Sequence, residues 1–342
     1  MHVHLVGSIG LDTTDEVFAA VGETVQPFLR RCPDGEVGGR RQWISYQWPV
    51  LRATSFLEPA SDQAVPGTGL CTLRVKTASR PEEIHFGELG YAREARTSYG
   101  DFLKARSQGT LSKETRFQVC LPTPAAVIGA FVVPQDISRI LPAYTEAMVR
   151  EAEKICSTIP HQDLSVQWDV CIEMIQWDGR SPLMPPFPAM EQAFAAAFGA
   201  LTAVIPKSVE LGIHLCYGDM DAKHFIEPAD LSKAVSLANL ITRVATRPLN
   251  WVHMPVPMDR DDPAYFAPLR ELVLGPSTEL FLGLVHAGDG AAGTVRRMKA
   301  ASAFAPAFGI ATECGMGRSR TPQLVRELLG VHAQAAQAFP DN

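Results

Sequence analysis

Short apolar runs recur along this chain at residues 2–7, 28–33, 117–121, 164–171, 210–216, 249–254, 280–286 and 308–312, and most of the gaps between them read as helix. Runs of this length, bounded by turn residues and too far apart for hairpins, predict buried parallel strands. Parallel neighbours need a crossover connection, and the segments at 13–23, 137–157, 187–206, 229–245, 292–303 and 321–337 have the apolar patterning of crossover helices. The last opens with Ser319-Arg320-Thr321-Pro322, a polar cap followed by proline in the first turn. Eight such runs predict an α/β fold: a single (β/α)8 TIM-type barrel spanning residues 1–342.

One connection breaks the rhythm. Residues 43–112 are too long for a barrel loop. They are expected to form an insertion over one barrel face, with a hairpin around 70–88 and a polar helix from Tyr91 to Arg106. A substrate lid and an oligomer contact are both open readings, and a homo-oligomer is compatible with either.

The bulk properties narrow the function. A hydrophobic content of 46% and a charged content of 20% are those of a soluble globular protein. A net charge of −6 gives no electrostatic reason to expect nucleic acid or an anionic membrane as partner. The longest apolar stretches, such as 193–205, are too short or too interrupted to span a bilayer. Seven cysteines, odd in number and not closely paired, with no leader segment before the first run, predict a reducing, cytoplasmic setting. Small-molecule chemistry is the class that remains.

In parallel barrels the reactive end is where strands finish. His214 and Cys216 lie two apart near the end of the run at 210–216, so an extended strand points both to one side. Cys314 follows the run at 308–312 just before a glycine turn. Two thiolates and an imidazole form a donor set that suits zinc, although buried cysteines are also common in cores. His253 ends the next run and either completes a Cys2His2 tetrahedron or lines the pocket. Two thiolates and two neutral imidazoles would leave the ion formally uncharged. Glu36, in the turn Asp34-Gly35-Glu36, and Asp169, a lone acid in an apolar strand, are the two carboxylates expected at the mouth. His286 and Asp289 end the seventh run and are the candidates for proton transfer. Arg318 and Arg320 either meet substrate anions or face solvent. There is no nucleotide-binding glycine fingerprint, phosphate loop or nucleophile elbow.

His214-Leu215-Cys216-Tyr217 and Glu313-Cys314-Gly315 resemble the zinc-binding segments of the catalytic barrel of cobalamin-independent methionine synthases, in the superfamily that also holds the uroporphyrinogen decarboxylase barrels. Val6-Gly7-Ser8, Asp34-Gly35-Glu36 and Val166-Gln167-Trp168-Asp169 match other blocks of that family in the same order. The resemblance implies that Glu36 and Asp169 hold the amino group of homocysteine and that the turn at Ser8 receives its carboxylate. It also implies a glutamate ligand where this chain has His253, and an Asp-x-His where it has His286 followed by Asp289. Full-length members carry a further N-terminal barrel, which this sequence is expected to lack.

The reading that follows is a zinc-dependent alkyl transferase, moving a methyl group from a donor such as 5-methyltetrahydrofolate onto a small thiol such as homocysteine. A zinc-dependent lyase or hydrolase acting on an oxygen-bearing substrate is the alternative on the same barrel. A metal-stabilised binding protein is the non-enzymatic one.

Overall fold

Seven of the eight apolar runs become strands of one parallel sheet in the computed structural model, which describes residues 1–64, 69–182, 184–219 and 223–339. In chain order the strands are β1 (Arg31–Pro33), β2 (Leu57–Ala64), β3 (Cys71–Val75), β4 (Arg116–Pro122), β5 (Leu164–Val170), β6 (Glu210–Leu215), β7 (Trp251–Pro255), β8 (Glu279–Val285) and β9 (Gly309–Thr312). The main sheet runs β1-β4-β5-β6-β7-β8-β9, and β2 and β3 form a separate antiparallel pair.

The run at 2–7 departs from expectation. It makes only isolated parallel bridges, Val3 to Leu29 on one side and to Ile310 on the other. The Val3 amide donates to Phe28 O at 3.0 Å, the His4 amide to Ile310 O at 2.9 Å, and the Ile310 amide returns to His2 O at 3.0 Å. Among the described residues the expected closed eight-stranded barrel is therefore a curled seven-stranded sheet whose two edges are stitched by an irregular segment. The cause is local: β1 has three residues and β9 has four, so the segment finds regular partners at only a few positions before it turns at Gly7-Ser8.

The helices are α1 (Thr14–Thr24), α2 (Trp48–Arg52), α3 (Tyr91–Ser107), α4 (Pro124–Phe131), α5 (Ile137–Thr158), α6 (Ile172–Asp178), α7 (Met190–Ala203), α8 (Ser232–Val244), α9 (Pro263–Phe266), α10 (Gly290–Ser302) and α11 (Pro322–Ala338). Their starts follow side-chain chemistry. Thr13, Thr123 and Thr321 each accept a backbone N–H three residues on, at 3.2 Å in every case, and proline occupies the first turn of α4 and α11. Between β1 and β4 the hairpin lies at 57–75, not around 70–88. The polar helix expected from Tyr91 is α3, which packs on α1 and α5.

Two features fix the interior. At the N-terminal ends of the strands, buried Arg31 lies 2.5 Å from Glu210 and 2.8 Å from Glu279, with its guanidinium over the Trp251 ring. One layer up, the Gln167 amide donates to Val6 O at 2.6 Å, and its carbonyl oxygen meets His4 Nε2 at 2.9 Å and Trp251 Nε1 at 3.2 Å. Gly212 leaves the room this needs, because a Cβ there would collide with the Trp251 ring. The lower barrel is thus filled with paired polar and aromatic groups, which leaves the upper end for chemistry. Among the described residues no helix is long and apolar enough to cross a membrane.

Candidate metal centre

Strand register brings the principal residues together. Asp169 on β5 pairs with His214 on β6, and His214 pairs with His253 on β7, so three titratable groups share one level of the sheet. Cys216 follows His214 on the same face, and Cys314 arrives from the turn after β9. The ligand atoms of His214, Cys216 and Cys314 all lie within 4.8 Å of one another. The two sulfurs are 3.5 Å apart, and the Gly218 amide donates to Cys216 Sγ at 3.2 Å. The thiol of Cys216 is held well above its usual pKa by hydrogen bonding with Cys171 and by burial, and that of Cys314 by its bond with Cys216 and by burial. Without a cation the pair stays protonated; a soft cation between the sulfurs reverses that preference.

His253 stands behind this group. Its Nε2 is 3.0 Å from Thr312 O, and its Nδ1 is 2.7 Å from His214 Nδ1. A carbonyl can only accept, so His253 Nε2 carries the proton. Burial pulls the His253 pKa down to about 3, so its Nδ1 is bare and accepts from His214 Nδ1–H. Burial, reinforced by His253, also depresses the pKa of His214, whose Nε2 is then unprotonated. That nitrogen is buried and has no hydrogen-bond partner. A bare imidazole nitrogen beside two sulfurs fits a zinc-like cation. Both nitrogens of His253, the candidate fourth ligand, are engaged, and its bond to His214 sets the tautomer of that imidazole.

The group opens onto a cavity of about 460 Å3. Glu36 and Asp169 line one part of it, and Trp43, Phe131, Ile172, Ile175 and Phe225 supply apolar wall. Asp169 accepts from Gln167 at 2.8 Å and from Trp43 Nε1 at 3.3 Å. Burial raises the pKa of both carboxyls well above the usual carboxylate range, and the charge of Asp169 pushes Glu36 further. Glu36 has φ of +50°, a conformation that costs a non-glycine residue about 1 kcal/mol. The turn holds it there, since the Glu36 amide donates to Asp34 Oδ1 at 2.9 Å and Asp34 is itself paired with Arg40 at 2.7 Å.

Ser8 also lines the cavity, packed so closely on the Cys314 turn that a Cβ on Gly315 or Gly317 would overlap it. Arg318 lines the cavity too, over the Trp43 ring at 5.8 Å. Arg320 is turned away, bound to Asp219 at 2.7 and 3.2 Å. His286 and Asp289 are not among the lining residues. His286 donates through Nε2 to Val256 O at 2.9 Å and is neutral, with its pKa drawn down to about 4 chiefly by burial; its Nδ1 lies 3.6 Å from Glu313. Asp289 is fastened by fully buried Arg297 at 2.7 and 2.9 Å, which lowers its pKa. A carboxylate so paired anchors α10 and is a poor proton donor. Trp43 and Cys171 escaped the sequence reading. Cys171 was findable, since it stands two residues after Asp169 just as Cys216 stands two after His214.

The fold has solved relatives. A Listeria monocytogenes structure provisionally described as a vitamin-B12-independent methionine synthase superposes with a TM-score of 0.62 at 13% identity, over 99% of this chain and 98% of that one. A B12-independent methionine synthase from Shewanella sp. W3-18-1, in complex with selenomethionine, gives a TM-score of 0.55 at 13% identity, over 83% and 76% of the two chains. At this identity the likeness shows the fold. No protein-family model and no curated protein matches the chain.

Proposed function

We propose that this chain is a zinc-dependent alkyl transferase that moves a methyl group onto a small thiol such as homocysteine. The observation that carries the reading is the His214 imidazole, with its bare buried Nε2, grouped with the Cys216 and Cys314 sulfurs at the wall of a cavity that also holds two buried acids. The solved relatives are named as methionine synthases, and one holds selenomethionine, the selenium analogue of methionine. Zinc, when bound, lowers the pKa of a coordinating thiol so that it is a thiolate nucleophile at neutral pH.

The residues of the chain bind and orient. Glu36 and Asp169 receive the ammonium group of the acceptor, and the turn at Ser8 receives its carboxylate. Trp43, Phe131, Ile172 and Ile175 keep water from the sulfur and the transferred carbon. The new S–C bond forms as the donor's bond to that carbon breaks, and the electron pair leaves with the donor, which then takes up a proton. His286 and Asp289 have no direct step here, since neither lines the cavity. The excursion from residue 43 acts as a cover, because Trp43, Ile44 and Ser45 at its start form part of the wall.

Cobalt substitution tests the reaction class. Titrating homocysteine into cobalt-loaded protein should add sulfur-to-metal absorption, and the thiol should be consumed when a methyl donor is supplied. A spectrum that responds only to oxygen-bearing ligands would favour the lyase or hydrolase alternative.

A further inference from the structure

His214, Cys216 and Cys314 supply three donors where a tetrahedral ion takes four. Of the other cavity-side candidates, Glu36 is assigned above to the substrate's ammonium group, and the rest are bound within the protein. Asp219 is bound by Arg320 at 2.7 Å, Asp169 by Gln167 and Trp43 at 2.8 and 3.3 Å, and His253 by Thr312 and His214 at 3.0 and 2.7 Å. Glu313, next to Cys314 in sequence, turns instead toward His224 and His286, at 3.5 and 3.6 Å.

Cys171 is different. It is 3% exposed, lines the same cavity, and packs in one cluster with Cys216 and Cys314. Register explains its position. β5 and β6 pair Asp169 with His214 and Val170 with Leu215, and the Cys216 amide continues the ladder by donating to Val170 O at 3.0 Å. Cys171 and Cys216 come one step beyond that last pair, at the ends of neighbouring strands about 4.8 Å apart, and both line the cavity. The sequence thus sets two sulfurs directly above an acid and an imidazole. Cys171 stands outside the three-residue group but packs against it and hydrogen-bonds with Cys216.

Resting on the zinc reading above, the structure assigns Cys171 as the fourth protein ligand, which makes the resting centre Cys3His. A substrate thiol would enter in place of Cys171, whose sulfur would take up the proton that the incoming thiol gives up. The entry of substrate leaves the number of sulfurs on the ion unchanged, and the Asp169 carboxylate two residues before Cys171 lies where the arriving molecule's ammonium group is held.

Zinc-edge X-ray absorption on the wild-type, zinc-loaded protein counts the sulfurs directly. Three sulfurs and one nitrogen are expected, with three sulfurs again after homocysteine is added. Two sulfurs in the resting protein would overturn the assignment while leaving the metal centre standing, whereas the absence of stoichiometric zinc would defeat the metal reading itself. As a second measurement, Cys171→Ser in the cobalt form should lose roughly a third of the sulfur-to-metal charge-transfer intensity, as one of three thiolates is removed. Unchanged intensity would also refute the assignment, and should the variant fail to fold, the wild-type sulfur count decides.

Discussion

A buried imidazole can offer a bare nitrogen to a cation only if its other nitrogen keeps the proton, and in this chain the bond from His214 to His253 does that. Removing His253 should therefore weaken zinc by about 10–100-fold, as for other residues that orient metal ligands. Cys216→Ser or Cys314→Ser should lose most of the metal. Chelator competition separates these cases, and equal losses in all three variants would return His253 to the ligand set. The acids behave differently. Glu36→Gln and Asp169→Asn should each weaken an amine-bearing ligand by about 1–3 kcal/mol with zinc content unchanged. Their raised pKa values also set a pH dependence with a definite sign. In the empty site the pair keeps a proton where ordinary carboxyls have lost theirs, so affinity for an ammonium should rise as pH climbs through the raised values, with proton release on binding. The same shift makes the folded chain bind more protons than the unfolded one, so ligand-free stability should fall over that range. Calorimetry in buffers of different ionisation heat, and melting curves of Glu36→Gln against pH, check both statements.

Secondary elements were legible in proportion to how much of their pattern is local. The start of α11 was readable because a threonine cap and the residues it bonds are neighbours in sequence. α4 and α6 were missed because helices this short, buried along most of their length, show little periodicity. The candidate ligands His214 and Cys216 were visible through the two-residue repeat of a strand, whereas His253's turn toward Thr312, the Arg297 clamp on Asp289 and the position of Cys171 depend on which strands lie side by side. That information is not in any local pattern. Asp289→Asn should cost about 3 kcal/mol in urea unfolding, since Arg297 is fully buried and would lose its counter-charge. Zinc content should not change; if it falls with stability intact, Asp289 belongs to the site. Gly212→Ala should cost about 1–3 kcal/mol or more, because the added carbon falls within the Trp251 ring.

The whole molecule carries a stabilising core apart from its candidate metal centre. The Arg31, Glu210 and Glu279 network lies at the opposite end of the sheet from Cys216 and Cys314, and the His4, Gln167 and Trp251 layer lies between the two. Stripping zinc should therefore lower the melting temperature but leave the far-ultraviolet circular dichroism of an α/β protein, unlike small domains that unfold with their metal. Collapse on chelation would make the ion structural. The stitch at Val3 has a consequence for biogenesis. Its two partners, Leu29 and Ile310, lie on opposite edges of the sheet and almost at opposite ends of the chain. A ribosome working at about 5–20 residues per second needs roughly 15–60 s to travel between them. For that interval the nascent sheet stays open, with the Val3 segment able to reach Leu29 but not Ile310, and Cys314 emerges only after Ile310. The unfinished sheet is exposed longest in the half-made protein, and a cation held by Cys314 would be taken up only once that residue has emerged.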